Sequence, residues 1–404
     1  MHLETYGVTE GVGVSHLSAN LPVKARPHYK GDEMSDTRTY IPWQLGQDFI
    51  TAAFRAVGVP EEDARICTDV ILESDRRGID SHGCNRFKPM YMNLLMSGVQ
   101  KPVTQLEILK ETPATLVVDA HQGLGMVAAV KTMRQVIGKA KNTGIAMGVV
   151  KNSGHFGIAG YYAMMAAKED LLGICGTNTR PSVAPTFGVQ NILGTNPFTF
   201  AFPTDEAFPF VLDCATCVCS KGKIETYARK GERIPDGVVI GADGNTITDS
   251  REVMKEFFTK REGAILPLGG AGEEHSGYKG YGYATVVEIL SAALSAGDFL
   301  TALSGVDGAG HRVLQRVGHF FLVIDPDAFF GKAAFKETTG KILRELRASR
   351  KAPGHDRIYT AGEKEYYIWQ ERKKKGIPLL PGVPEEFIEV RDRLHLPYIF
   401  PFEI

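Results

Sequence analysis

Thr115-Leu-Val-Val-Asp119, then Ala-His-Gln-Gly123-Leu-Gly125-Met-Val-Ala128, and further on Ile145-Ala-Met-Gly-Val-Val150-Lys151-Asn152 form the stretch whose reading decides the architecture. A β-branched run, a glycine turn, an amphipathic helix over about Met126–Ala140 and a second β-rich run follow one another, so the chain predicts strand–helix–strand here. Gly123-x-Gly125-x-x-Ala128 also has the spacing in which backbone amides at a helix N-terminus seat a pyrophosphate. A Rossmann unit needs in addition an acidic side chain at the end of the second strand to hold the ribose hydroxyls. Lys151 and Asn152 stand there instead. The glycines are therefore read as a tight turn into a helix, which excludes a Rossmann domain without excluding a nicotinamide.

Working outward, Leu106–Lys110 and Thr115–Asp119 flank Thr112-Pro113 and predict a hairpin. Downstream come a loop at Lys151–Gly157 and a helix from about Ile158 to Lys168. Leu171 to Asp213 is β-rich and punctuated by Gly176-Thr-Asn-Thr-Arg-Pro181 and Gly194-Thr-Asn-Pro197, the pattern of short strands in an antiparallel or mixed sheet. A Gly-rich loop runs from Pro267 through Gly277-Tyr-Lys-Gly280 into a helix over Ala284–Leu294, and Phe320–Asp325 is a strand. The fold class is α/β (α+β), a large sheet with flanking helices. Four regions are expected: an extension over 1–40, a helical substrate and dimer-contact region over 41–120, a sheet-rich region over 121–330, and a charged helical segment over 331–404 packing back on the body.

The 404 residues carry 46 Lys and Arg against 47 Asp and Glu, so the basic excess that phosphate neutralisation requires is missing and nucleic acid is not an expected partner. No apolar run approaches the roughly 20 residues of a membrane-spanning helix, and Met1–Tyr40 is polar where a signal peptide would be apolar. A cytoplasmic protein is expected. Cys214-x-x-Cys217-x-Cys219 lacks a fourth ligand nearby and sits where a buried strand enters a turn, so no metal is expected.

Two clusters carry chemistry. Ser81-His82-Gly83-Cys84-Asn85-Arg86, followed by Tyr91, opens an amphipathic stretch that Gly98 closes. His82 and Arg86 are four apart, a spacing that puts an imidazole and a guanidinium on one helix face, facing one small anion. Lys151-Asn152-Ser153-Gly154-His155-Phe156-Gly157 sets a second imidazole between glycines at a strand end, where functional side chains concentrate. A His there gives and takes a proton near neutral pH. Arg180 is a candidate second anion contact, with a solvated loop charge the alternative. Together these groups suit reduction of a 2-oxo acid, which needs a cation for the carboxylate, a proton donor for the carbonyl oxygen and a held hydride carrier.

At these residues the chain resembles the malate/L-lactate dehydrogenase family of the second type, whose members also include ureidoglycolate, sulfolactate and diketogulonate dehydrogenases and cyclic-imine reductases. The likeness runs from about Ile41 onward. It rests on Ser81-His-Gly-x-x-Arg86, Asn152-Ser-Gly-His-Phe-Gly157, Gly194-Thr-Asn-Pro197, Val211-Leu-Asp-x-Ala-Thr216, Pro235-x-Gly237 with Asp243-Gly244, Gly277-Tyr-Lys-Gly280 and Gly318-His-Phe-Phe321. It implies a large, mainly antiparallel sheet that binds a nicotinamide dinucleotide outside the Rossmann fold, and a homodimer. It implies that His155 transfers the proton, that Ser81, His82 and Arg86 line the substrate site, and that Asn178, Asp213, Cys214, Ala215, Lys279, Gly362 and Glu363 meet the cofactor.

The expected activity is hydride transfer between NAD(P) and a malate-, lactate- or sulfolactate-like acid. The alternatives are an imine reductase, a ureido- or sugar-acid dehydrogenase, or a silent nucleotide-binding homologue. Cys217 stands where the family commonly has Ser, and Glu273-Glu274-His275 is a small insertion beside the Lys279 loop. That acidic pair disfavours a 2′-phosphate and leans toward NAD, with NADP the alternative.

Overall fold

The computed structural model describes residues 38–255, 263–311 and 313–404. The expected extension over 1–40 lies outside the described residues apart from its last three. Arg38–Ile404 form one compact unit.

The chain opens with β1 (Thr39–Ile41), α1 (Trp43–Ala56) and α2 (Glu61–Arg76), then a turn, a short α3 (Cys84–Arg86), a π-helical segment (Phe87–Met92) and α4 (Asn93–Met96). The hairpin β2 (Glu107–Glu111) and β3 (Thr115–Asp119) leads through α5 (Gly125–Thr143) to β4 (Ile145–Ser153), and α6 (Gly160–Ala167) leads to β5 (Leu172–Thr177), β6 (Phe198–Phe202) and β7 (Phe210–Cys214). A smaller lobe follows with α7 (Lys221–Lys230), β8 (Val239–Ile240), α8 (Ser250–Lys255) and β9 (Ala264–Ile265). Then come α9 (Gly277–Ala292), β10 (Val317–Ile324), α10 (Lys332–Ala348), α11 (Glu363–Lys375), β11 (Ile377–Leu379) and α12 (Val383–Arg393).

The central sheet has seven strands in the order β2-β3-β4-β10-β5-β6-β7. Only β3 and β4 run parallel, joined by α5; every other neighbouring pair is antiparallel. Side chains alternate along each strand. Val150, Phe321 and Val323 face the core shared with α5 and α6, whereas Val149 and Phe320 pack with Val287 of α9 on the other face. The predicted hairpin and strand–helix–strand unit are therefore present, in a mixed sheet too antiparallel to be doubly wound.

Gly125 shows why the glycine fingerprint is not a phosphate seat. A Cβ there would lie 2.1 Å from the Gly154 carbonyl oxygen and 2.6 Å from that of His155. The adjacent Leu124 amide donates to Thr104 Oγ1 at 3.0 Å. The missing side chain lets the start of α5 pack against the loop that carries His155, and the space a phosphate would need holds the chain's own backbone.

The two ends of the described chain clasp one another. β1 pairs antiparallel with β11, Thr39 opposite Leu379. Beside them Phe49 of α1 packs on Phe387 of α12 and on Phe400, with ring centroids 5.0 Å apart in both pairs.

Element boundaries depart from the sequence reading where glycine was taken as loop. Gly277-Tyr-Lys-Gly280 is the first turn of α9, so Lys279 stands on a helix. Lys151-Asn152-Ser153 are the last residues of β4 because that strand continues its pairing with β10 as far as Ser153 and Val317, leaving Gly154–Gly157 as the loop. No helix among the described residues is long and apolar enough to cross a membrane. Replacing Gly125 by Ala is expected to cost about 3 kcal/mol of stability by overpacking, measured by urea unfolding, with dinucleotide affinity of the folded fraction unchanged.

Candidate active site

The Ser81–Arg86 segment is fixed from below by a buried carboxyl. Asp75, in the last turn of α2 and 1% exposed, accepts the Cys84 amide at 2.9 Å. Arg372 of α11 reaches in to donate to the Asp75 carbonyl oxygen and to Asp80 Oδ1, both at 2.5 Å. Burial raises the Asp75 carboxyl to about 7, and neighbouring Asp80 pushes the same way, against the Cys84 hydrogen bond and Arg372.

His82 lies in the turn before α3, so the expected helical i,i+4 pairing with Arg86 is replaced by a tighter arrangement. Ser81 Oγ meets His82 Nδ1 at 2.9 Å, and Arg86 Nε donates back to the Ser81 carbonyl at 2.8 Å. Arg86 Nη2 contacts Glu225 Oε2 of α7 at 3.2 Å. The side-on Nε–Nη2 edge of the guanidinium is thus held by the protein, and the end-on Nη1–Nη2 edge is the one left to grip a carboxylate.

His155 comes from the loop after β4, and its ring stacks against that of His82 with centroids 5.7 Å apart and planes 20° from parallel. Its Nδ1 lies 2.7 Å from the Tyr91 hydroxyl and 3.3 Å from the Gly157 amide. Behind the loop, buried His319 of β10 stacks on Phe156 at 4.5 Å, its two ring nitrogens each 2.8 Å from a hydroxyl, Thr177 Oγ1 and Ser153 Oγ. That wedge fixes Phe156 and with it the path of the loop.

All three imidazoles are held neutral. Burial lowers His82 to about 4, with Arg86 adding to it. Burial also takes His155 well below its usual range, helped by His82, Arg86 and His319, and takes His319 to about 3. A small acid entering here meets two uncharged rings and a guanidinium, and its own negative charge would favour protonating the ring it touches.

Sequence reasoning missed the wall supplied by the smaller lobe. Lys221 opens α7, and its amine is lowered to about 8 by burial, then by Arg180, with Arg86 acting in the same sense and Glu225 opposing. Three cations and one carboxylate therefore act on one another beside the two histidines. Arg180 had been singled out; Lys221 and Glu225 gave no signal, since a Lys-x-Lys-x-x-x helix start reads as a solvated face.

Next to this site runs a cleft of about 370 Å³ whose lining includes Arg77, Ile79, Gly160, Asp213, Gly362 and Lys364. Ile79 precedes Ser81 by two residues and Gly160 follows His155 by five, so the segments that carry the site continue into the cleft's lining. Asp213 closes it by accepting the Gly160 amide at 2.7 Å and Thr199 Oγ1 at 2.9 Å. Gly362 has φ +88° and would carry a Cβ 2.9 Å from the Val211 amide nitrogen. Glycine there lets the chain pack on β7, and the cleft, with Arg77 and Lys364 in its wall, fits a phosphate-bearing ligand such as a nicotinamide dinucleotide.

The other expected cofactor contacts divide. Cys214 is exposed at the end of β7, Ala215 is half-buried against the small-lobe core, and Lys279 is exposed on α9 outside the cleft lining. The side chains of Asn178 and Glu363 are both engaged by the fold. Asn178, fully buried, donates to Glu288 and the Asp298 carbonyl and accepts from the Gly318 amide. Glu363, fully buried, takes the Thr360 amide, Arg347 and Arg357. Among the described residues no His, Cys, Asp and Glu cluster is suited to a metal.

The sequence profile of the malate/L-lactate dehydrogenase family matches residues 41–387. The chain belongs to that family. It is 42% identical over 346 residues to a malate dehydrogenase of Pyrococcus horikoshii, covering 86% of this chain and 93% of that one. It is 39% identical over 324 residues to an L-sulfolactate dehydrogenase of Methanocaldococcus jannaschii, covering 80% and 88%. The solved structure of malate dehydrogenase from Entamoeba histolytica superposes with a TM-score of 0.87 at 39% identity, over 90% of this chain and all of that one. The protein is a dehydrogenase of 2-hydroxy acids that uses a nicotinamide cofactor and a small acid substrate.

The depressed histidines set a stability expectation. Between about pH 4 and 6.5 the unfolded chain protonates three imidazoles that the fold keeps neutral, while folded Asp75 retains one proton that the unfolded chain releases. The unfolded state then binds about two more protons, so stability falls as pH falls through this window. Urea titrations should show a loss on the order of 2 kcal/mol between pH 6.5 and 5.

Proposed function

We propose that this family member is an NAD-dependent dehydrogenase of a dianionic 2-hydroxy acid, malate- or sulfolactate-like. The observation that carries the reading is the convergence of His82, His155 and Arg86 on one site with Arg180 and Lys221 beside it. Arg86 holds the carboxylate next to the reacting carbon, Ser81 and His82 line the opposite side, and His155 takes the hydroxyl proton through Nε2 during oxidation and returns it during reduction. The nicotinamide, when bound, accepts or supplies the hydride. Arg180 and Lys221 beyond Arg86 favour a second anionic group over the methyl of lactate, because cations near one another are stabilised by an anion brought against them.

NAD over NADP is part of the reading, resting on the acidic pair Glu273 and Glu274, which is exposed in the turn just before α9 and lies outside the cleft lining. A homodimer is part of the reading, since α9 leaves Tyr283, Val286 and Ile289 about half exposed on its outer side. Six unpaired thiols suit a reducing, cytoplasmic setting.

A screen at 340 nm with malate, sulfolactate, lactate, a ureido acid and a cyclic imine, each with both cofactors, tests the assignment. Malate or sulfolactate with NAD should give the highest kcat/KM, and turnover of the imine alone would overturn it. His155→Ala should lower kcat by about 10²- to 10⁴-fold, and Arg86→Ala should act mainly on the acid's KM. Because Lys221 titrates near 8, the KM for a dianion should rise above about pH 8 as its charge is lost, and Lys221→Gln should flatten that rise while shifting preference toward lactate.

A further inference from the structure

The buried phenol against His155 has no place in the mechanism so far. Tyr91 is 4% exposed, and its hydroxyl is 2.7 Å from Nδ1, the ring nitrogen turned away from the substrate side. It reaches that point because the helix after Arg86 is wound wide. Pro89 cannot donate within the helix, and the Asn93 amide bonds the Lys88 carbonyl five residues back, a π-turn of the kind that recurs at functional sites.

Protonation logic gives the phenol a task. A neutral imidazole has one N–H and one lone pair, and to take a proton at Nε2 it must carry its hydrogen on Nδ1. Its other Nδ1 neighbour, the Gly157 amide at 3.3 Å, is a donor only. Left alone with that amide, Nδ1 would be kept as an acceptor and Nε2 would bear the hydrogen, the wrong tautomer for a base. A phenol both donates and accepts. Resting on the proposed role of His155, we propose that Tyr91 is a positioning residue, the Nδ1 neighbour able to accept the Nδ1 hydrogen of His155, admitting the tautomer whose Nε2 takes the substrate proton and supporting the imidazolium that results.

In the oxidation direction the substrate hydroxyl proton passes to Nε2 and the Nδ1 hydrogen stays in place, directed at the Tyr91 oxygen; a bound nicotinamide would take the hydride. Reduction reverses each transfer. Burial holds the phenol pKa above its usual range, so Tyr91 stays protonated throughout and exchanges no proton with the ring. The Gly157 amide also acts on the Tyr91 oxygen, against the effect of burial.

The test compares Tyr91→Phe with the unaltered enzyme. The expected result is a kcat lower by about 10- to 100-fold in both directions, below the roughly 10⁴-fold known for a fully mis-set catalytic tautomer. The KM for NADH should stay within about twofold, and the limb of the pH profile that reports imidazolium should move about one unit lower. Unchanged kcat and pH profile in Tyr91→Phe, with His155→Ala inactive, would overturn the inference.

A ¹⁵N-histidine spectrum of the unaltered protein reads the tautomer without turnover. An Nδ1-protonated His155 supports the proposal, and an Nε2-protonated ring insensitive to 3-fluorotyrosine at position 91 refutes it. That second substitution keeps the ring's shape should the Phe variant not fold. If the unaltered enzyme turns over none of the acids, the functional reading fails, while the spectrum still decides the tautomer.

Discussion

Two imidazoles and a guanidinium pressed together out of water are the constraint around which this molecule is arranged. Each ring loses its charge to burial, and each is kept from regaining it by the same Arg86 that makes the site attractive to an anion. Such a group is stable only when its hydrogen bonds are supplied by rigid neighbours. Ser81 and Tyr91 supply them to the rings, and Ser81 with Glu225 supplies them to the guanidinium. Arrival of a carboxylate relieves the electrostatic pressure, so substrate binding and protonation are coupled through one local field.

The sheet serves this arrangement by bringing β4 beside β10 at the centre. His155 leaves the end of β4, and His319 sits on β10 beneath the loop, so a strand register that aligns Ser153 and Val317 also sets the wedge behind Phe156. The start of α5 closes on the same loop through Gly125. The helical layer contributes the second half: α2 ends on Asp75, whose carboxyl fixes the Cys84 amide and hence the direction in which Ser81 and His82 face.

Much of this was legible in the residues. Alternating β-branched runs around Thr112-Pro113 and from Ile145 gave the hairpin and the strand after α5, because local periodicity survives into the sheet. The two His-bearing clusters could be read as one site from chemistry, and their stacked rings meet that expectation. Long-range partners could not be read. Glu225 meets Arg86 across 139 positions of sequence, and nothing local marks either for the other. Asn178 entered as a cofactor contact only through the family resemblance, and no local pattern announces the packing of Glu288 and Gly318 that engages its amide. Glu363 is likewise named by the resemblance, and nothing local marks Arg347 and Arg357 as the partners of its charge. The wide turn that carries Tyr91 has a cause in Pro89, yet periodicity alone draws an ordinary helix through it.

The clasp of β1 on β11 bears on the order in which the chain is made. Beside Asp75, the supports beneath the substrate loop, Arg372 on Asp80 and the aromatic packing of Phe49 on Phe387 and Phe400, depend on segments made long after α1 and α2. A nascent chain could form the hairpin and the α5 unit early from near neighbours, but β1 and the face of α1 that meets α12 would wait over three hundred further residues for their partners. Contacts so distant in sequence close slowly, and the interval before they do is the period of greatest exposure to chaperones and proteases.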